Sequence, residues 1–311
     1  QLIKNILITG ANGQDGKIIL QKLYKKKINL ILIDKKFKKK IRKKNINYFE
    51  INLKDKKKLE KLFKFYKVDI VLNLASNNPN YRQNSYRKHY LENINNFKNL
   101  IDNLIKYKNE VKFISCSSSR IFRKKNGLVN ENSNISINDF YSKFRIETND
   151  YLIKTKKRNK NFDFTNVILF NHDSLFRSNR FLLPRTIFAL ISKNQKFLNQ
   201  IIKENIVMDY SHAEDICDAL IKILFSKKKI KNIILSSGKK TYVNDIIKYL
   251  IKKNKLDLKL NYNNTKKRNC LIGNNTYAKK TLNWKIKKNI FLAAQEIFKK
   301  NIVHKFIKKK L

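Results

Sequence analysis

Glycine, proline, cysteine and acidic side chains are scarce in this chain of 311 residues, which has six Gly, two Pro, three Cys and 23 Asp+Glu against 71 Lys+Arg. The cysteines, Cys116, Cys217 and Cys270, form no CxxC pair. That argues against a disulfide framework and suits a reducing, cytoplasmic setting. No apolar run reaches membrane-span length, and the chain opens on a strand-like run rather than a secretory leader, so no membrane partner is expected. The four histidines (His89, His172, His212 and His304) are scattered. None has a Cys or acid at ligand spacing, so no metal is expected. P-loop and nucleophile-elbow patterns are absent as well.

The shortage of acids leaves a formal charge of +48. Such a charge admits a binder of polyanions or membrane surfaces. The lysines follow no single stripe, however, and Lys, Asn, Ile and Phe crowd every segment. Compositional drift is the better reading. General attraction for anions, including nonspecific nucleic acid at low salt, is its by-product.

Against that background, three of the six glycines fall within Gly10-Ala11-Asn12-Gly13-Gln14-Asp15-Gly16. The apolar run Ile6 to Ile8 before them reads as a buried parallel strand, and a helix is expected from about Gln14. Gly10 suits a tight turn, Gly13 lets the backbone approach a pyrophosphate, and Gly16 permits close packing of helix on strand. The free N–H groups of the helix start would face the anion. The spacing is GxxGxxG, so the cofactor turn comprises Gly10, Asn12, Gly13, Gln14, Asp15 and Gly16.

The rest alternates as an α/β chain should. Strands are expected at Ile28 to Ile33, Ile46 to Ile51, Asp69 to Leu74 and Val111 to Ser115. Helical spacing appears at Leu59 to Tyr66 and over His89 to Lys106. The fold class is a doubly wound parallel sheet of Rossmann type, with a smaller, interrupted C-terminal region. Asp34, at the end of the second strand, suits the adenosine ribose and argues for NAD. Lys35 and Lys36 could hold a 2′-phosphate, so NADP is the alternative. Asn52 and Leu53 would lie beside the adenine, and Leu74, Ala75 and Ser76 at the next strand end.

Ser118, after the fifth strand, and Tyr141, at the start of the next helix, suit hydride transfer at a hydroxyl-bearing carbon. A cation beside a phenol favours its ionised form, which takes a hydroxyl proton. Arg145 lies one turn after Tyr141; Lys143 is the alternative if the helix starts late. Read alone, Tyr141 fits a surface tyrosine equally well.

These residues, taken together, resemble an extended short-chain dehydrogenase/reductase, most closely the GDP-mannose 4,6-dehydratase family. Gln14-Asp15-Gly16 is similar to that family's glycine turn. Ile168-Leu169-Phe170-Asn171-His172-Asp173-Ser174, with Arg177 and Phe181, resembles its substrate loop ILFNHES. Asp209 to Asp215 resembles its D-W-G-H-A-x-D segment. Leu271 to Asn274, Ala278, Leu282 and Trp284 echo its C-terminal L-L-G-D…KA…L-G-W. The resemblance implies NAD and a GDP-linked or other nucleotide-linked sugar held by Asn171, Arg177, Arg185 and Arg268. The apolar faces of the His89 to Lys106 helix and of the helix after Tyr141 are wider than a monomer needs, which predicts a homodimer built on them, as the resemblance also implies. The resemblance divides the chain into a cofactor domain, 1–170 with 209–237 returning to it, and a sugar-binding region, 171–208 and 238–311.

The departures bear on the reaction. Ser117-Ser118-Ser119-Arg120 stands where the family reads S-T-S-E. Ser118 can replace the Thr, but Arg120 occupies the place of the Glu that serves dehydration. A guanidinium neither removes nor supplies that proton. Glu131 or Asp139 would have to substitute. Counting from Tyr141 puts Arg145 at the Lys of Y-x-x-x-K; counting from Ser142-Lys143…Glu147 puts Asp139 at the Tyr. Met208 replaces an Arg expected beside the diphosphate. Three functions follow: oxidation at C4 of a GDP-linked hexose as in the dehydratases (a lyase), a 4-epimerase or 4-ketoreductase without elimination, or a nucleotide-sugar-binding protein with impaired catalysis.

Overall fold

The computed structural model describes residues 4–79, 86–107, 110–262 and 268–307, without the side chains of 304–307, so that of His304 lies outside the described residues. Strand β1 (Asn5–Thr9) enters the glycine turn, and α1 (Gln14–Leu23) leaves it. Then come β2 (Asn29–Asp34), β3 (Ile46–Glu50), α2 (Lys56–Phe65), β4 (Ile70–Asn73) and α3 (Arg87–Tyr107). Next are β5 (Val111–Ser118), a 3-10 turn at Ser119–Ile121, β6 (Gly127–Val129), α4 (Phe140–Arg158) and β7 (Phe162–Leu169). The chain continues through β8 (Asn171–Asp173), α5 (Leu182–Ile191), α6 (Gln195–Glu204), β9 (Val207–His212), α7 (Ala213–Phe225) and β10 (Asn232–Leu235). It ends with β11 (Lys240–Tyr242), α8 (Val243–Lys253), β12 (Leu271–Gly273), α9 (Thr276–Leu282) and α10 (Ile290–Ile307).

Seven parallel strands form one sheet in the order β10-β7-β5-β4-β1-β2-β3. The order reverses direction between β1 and β4, and ligands of such sheets bind beyond the strand ends at that point. Both faces are covered, so the strands read as continuous apolar runs such as Leu30-Ile31-Leu32-Ile33, all buried. On one face Ile18, Ile19 and Leu23 of α1 pack with Ile216, Leu220 and Ile223 of α7. On the other, Leu59 and Leu62 of α2, Ile94 to Leu104 of α3 and Phe144 of α4 form a second core.

β5 is longer than the sequence suggests. It pairs with β7 through Ser118↔Leu169, so Cys116 to Ser118 are strand rather than loop. The apolar side of α3 is consumed inside the chain, against the expectation of a surplus for dimerisation. Its outward positions are Lys88, Leu91, Asn95, Lys98, Asp102 and Lys106.

The smaller region packs α5, α6, α8 and α10 around Leu183, Ile187, Ile247 and Phe298. Two segments near its boundaries are placed by their pairing and packing. Residues 209–212 lie in β9, which pairs with β8 and β11 outside the main sheet, so the return begins with α7. Ala278, Leu282 and Trp284 pack back onto the core of the main sheet, because Trp284 Nε1 donates to Asp215 O (2.9 Å) on α7.

Candidate active site

Two adjoining clefts open beyond the strand ends. The first is lined by Gly10 to Gly16 except Ala11, by Asp34, Asn52 and Leu53, and by Leu74 to Asn78. Gly10 has φ +68°, and a Cβ there would stand 2.9 Å from Ala75 N, so the turn and the neighbouring strand end need glycine. A Cβ on Gly16 would lie 2.5 Å from Ala11 O, which is why α1 can press onto the turn only with glycine there. The Asp34 carboxylate accepts from Asn12 N (2.9 Å) and Lys35 N (2.7 Å), and the Lys35 ammonium turns away to Glu92 Oε1 at 3.0 Å.

Gln14 and Asp15, expected at the cofactor, also bind the Phe170 to Ser174 segment. Gln14 Oε1 accepts from Ser174 N (2.9 Å), and its Nε2 donates to His172 O (3.2 Å). Asp15 Oδ2 lies 3.1 Å from His172 Nε2, while His172 Nδ1 faces Phe170 O at 2.7 Å. Both ring nitrogens thus face acceptors, an arrangement that favours the protonated ring. Burial pushes the His172 pKa down, but Asp15 outweighs it and raises the value above 6.5. For Asp15, burial pushes up, and His172 and Arg177 bring it below 3.8.

The second cleft is lined by Ser117, Ser118, Arg120, Tyr141, Asn171, Met208 and their neighbours. Asp139 caps α4: its carboxylate accepts from Ser142 N (2.7 Å) while Ser142 Oγ reaches back to the cap, a reciprocal capping box. The helix therefore begins at Phe140, and Tyr141 and Arg145 fall one turn apart on its buried side. Arg145 Nη2 donates to Tyr141 Oη (2.9 Å) and to Ser76 Oγ (2.8 Å), and Nη1 donates to Cys116 O (2.5 Å). Tyr141 Oη in turn donates to Asn78 Oδ1 at 3.0 Å.

Lys143 is not the partner of the phenol. Two residues after Tyr141, it lies 3.8 Å from Glu147 Oε1 and 5.0 Å from the Tyr90 ring centroid. Ser118 lines the cleft and accepts from Arg120 N (3.3 Å), while the buried hydroxyl of Ser117 has no partner among the described residues. Arg120 pairs with Asp139, and Glu131 is held elsewhere by Ile234 N at 2.9 Å.

Of the four expected sugar contacts, Asn171 and Arg177 line the second cleft, Arg177 also lining the first. Arg177 pairs with Asp173 (2.9 Å) and lies 3.6 Å from the Phe181 ring centroid. Arg185 faces out of α5 onto Phe197, and Arg268 is exposed with its carbonyl taken by Tyr242 Oη, so neither joins the cleft walls. Asn78 and Ser117 were not singled out from the sequence. Their polar side chains beside a strand end were the available signal.

The sequence model of the NAD dependent epimerase/dehydratase family matches residues 6–235. The chain belongs to this family. No curated protein matches the sequence. Among solved structures, the chain is similar to a UDP-glucose 4-epimerase of Thermotoga maritima, with 20% identity and a TM-score of 0.80 over 96% of this chain and 99% of that one. A UDP-glucuronic acid 4-epimerase of Bacillus cereus matches at 16% and 0.79, over 95% and 98%. A dTDP-glucose 4,6-dehydratase of Bacillus anthracis matches at 16% and 0.76, over 95% and 96%.

NAD is the cofactor of this epimerase/dehydratase chain. The first cleft fits it: the glycine turn leaves bare backbone where side chains would otherwise intrude, and a carboxylate stands at the end of β2. No helix among the described residues is long and apolar enough to cross a membrane. All three cysteines are free and buried. The sequence misses one cluster: His212, Glu214 and Glu296 bring ligand-type atoms within 4.8 Å of one another. It is matched internally. Lys288 Nζ sits 2.8 Å from Glu214, and His212 Nδ1 accepts from Glu214 N (3.1 Å), leaving Nε2–H for Glu296.

The Asp15–His172 pair predicts a pH dependence. Because the folded His172 pKa is raised above 6.5, its stabilisation is full below that pH and is lost as pH rises through the folded value. The lowered Asp15 contributes above 3.8 and is lost as pH falls through its folded value. Thermal stability of the wild type is expected to fall as pH rises above 6.5, and His172→Gln to flatten that decline. Parallel melting profiles for the two proteins would rule the pair out as its source.

Proposed function

We propose that this family member oxidises and re-reduces C4 of a nucleotide-linked hexose, with 4-epimerisation as its net reaction. The contact of Arg145 with Tyr141 Oη carries the proposal, because it places a fixed positive charge on a phenol that lines the second cleft and is hydrogen-bonded to Asn78, which lines both. Tyr141 Oη takes the C4 hydroxyl proton and returns it after the keto sugar presents its other face. Ser118 hydrogen-bonds the same oxygen. In the free site the neutral phenol donates to Asn78 Oδ1, and that proton leaves to solvent before the phenolate takes the C4 hydroxyl proton. Bound NAD supplies the acceptor, and then the donor, of the electron pair at C4.

The glycine turn would hold the diphosphate of the cofactor, Asp34 the adenosine ribose, Asn52 and Leu53 the adenine, and Leu74 to Ser76 the adjoining wall. NAD is favoured over NADP because a 2′-phosphate would meet the Asp34 carboxylate, while Lys35 is occupied by Glu92. Elimination lacks its acid: Arg120 is paired with Asp139, and Glu131 is held by the backbone of β10.

GDP is the first nucleotide to test, on the likeness of the Ile168 to Ser174 and Asp209 to Asp215 segments. UDP is the second, suggested by the epimerases with the same fold. A homodimer rests on the resemblance alone, since the outer face of α3 is largely polar. A cytoplasmic location suits the three unpaired thiols.

Cofactor-loaded protein incubated with GDP-mannose or UDP-glucose should convert one of them to its 4-epimer, followed by nuclear magnetic resonance. A 4-keto-6-deoxy product would identify a dehydratase instead. Tight binding without turnover of either sugar would identify a binding protein with impaired catalysis.

A further inference from the structure

Arg120 carries a charge that the C4 chemistry does not use. It stands on the 3-10 turn directly after β5, on the wall of the second cleft beside Ser118 and Tyr141. Its guanidinium carbon lies 5.8 Å from the Tyr141 ring centroid, and its side chain is 49% exposed. Asp139 pairs with its Nη2 and so fixes where the group stands. That carboxylate is already drawn on twice more. Its other oxygen accepts from Ser142 N, and the α4 N-terminus attracts its charge.

A guanidinium has five donors in a planar fork, and the pair with Asp139 is the one polar contact of this side chain among the described residues. The other cations of the cleft lie deeper: Arg145 is 7% exposed and the Arg177 side chain 23%, against 49% for Arg120. Arg145 serves Cys116 O, Ser76 and Tyr141, and Arg177 serves Asp173 and the Phe181 ring. A hexose whose C4 hydroxyl rests on Tyr141 has C6 two bonds away, on the next ring carbon's substituent. A neutral hydroxymethyl group at C6 has no use for a fixed cation. A C6 carboxylate does, and guanidinium–carboxylate pairs are the stronger, orienting kind.

We infer that the site takes a nucleotide-linked hexuronate, with Arg120 binding the C6 carboxylate. The inference rests on the proposed C4 chemistry at Tyr141. The chain's charge of +48 acts in the same direction, favouring the more anionic of two otherwise equal substrates.

Calorimetric titration of the cofactor-loaded protein tests it, using UDP-glucuronate against UDP-glucose and GDP-mannuronate against GDP-mannose. In at least one pair the uronate should bind about tenfold more tightly. Arg120→Gln should erase that preference, Arg120→Lys should keep part of it, and UDP or GDP alone should bind wild type and variants alike. The inference is overturned if the neutral sugars bind as tightly as the uronates. It is equally overturned if Arg120→Gln weakens uronate, neutral sugar and bare nucleotide by the same factor, since Arg120 would then only be holding Asp139. Epimerisation of a neutral sugar without uronate binding removes this inference and leaves the C4 reading intact. If no nucleotide-sugar binds at all, both fall.

Discussion

Replacing Tyr141 by Phe is expected to slow C4 turnover by about 10³-fold, within the span that a positioned acid–base group contributes. The substitution removes one oxygen. It leaves the ring in its half of the core, against Phe144 at 6.4 Å between centroids. Arg145 keeps Ser76 and Cys116 O, so its charge remains placed but has no phenol to act on. Nucleotide-sugar affinity, read by calorimetry, should change by no more than about threefold, because a lost proton-transfer group lowers turnover and not binding. Turnover that survives the change would move the base to another hydroxyl of the cleft, with Ser117 the first to examine, since its buried oxygen has no partner among the described residues. A large fall in sugar affinity would instead make Tyr141 a binding residue.

What the sequence made legible was local. The glycine turn could be read because tight turning and close helix packing admit only glycine, at spacings fixed within seven residues. Asp34 was legible because it ends an apolar run whose length matches a strand. The partner of Tyr141 was not. Arg145 and Lys143 differ only in helical phase, and that phase is set by where α4 starts. The deciding residue is Asp139, which could be read either as a cap or as the place of the family's tyrosine. Its capping box with Ser142 starts the helix at Phe140 and turns Lys143 toward Tyr90.

Contacts made across the chain were out of reach for a different reason. Asp15 and His172 are 157 residues apart, and Tyr141 and Asn78 are 63 apart, so no spacing rule connects them. Arg185 shows that nearness in sequence to a cleft segment does not place a side chain in the cleft wall. It follows the substrate-loop signature closely in sequence, but α5 needs its buried side for Leu183, Ile187 and Leu190, and the helical repeat then sends Arg185 outward. The resemblance singled out the Asp209 to Asp215 segment without saying whether it serves the sugar or the architecture.

For its first residue, Asp209→Ala should decide between the two, and the expected result is a large loss of stability. Asp209 is 1% exposed on β9. Its Oδ1 accepts from Ser237 N (2.8 Å) and Ser237 Oγ (2.6 Å), and its Oδ2 from Gly238 N (3.0 Å) and Gly273 N (3.1 Å). One carboxylate therefore joins three elements: the small sheet through β9, the turn from β10 to β11, and β12. Gly238 has φ +73°, a conformation that suits glycine and directs its N–H at Asp209. Burial pushes the Asp209 carboxyl up, and the four donors oppose it without cancelling it, so the charge is held at a cost that the donors repay only in part. Removing it strands three backbone N–H groups, while Ser237 Oγ keeps Lys239 O at 3.2 Å. At about 1–3 kcal/mol for each unsatisfied group, less what entering water restores, the net destabilisation should be about 4 kcal/mol. Denaturant unfolding of the cofactor-free protein reads that loss as a lowered midpoint at unchanged slope. NAD affinity below the new midpoint should be preserved, since the cofactor cleft does not include β9. A variant as stable as wild type that no longer binds nucleotide-sugar would assign Asp209 to the substrate instead.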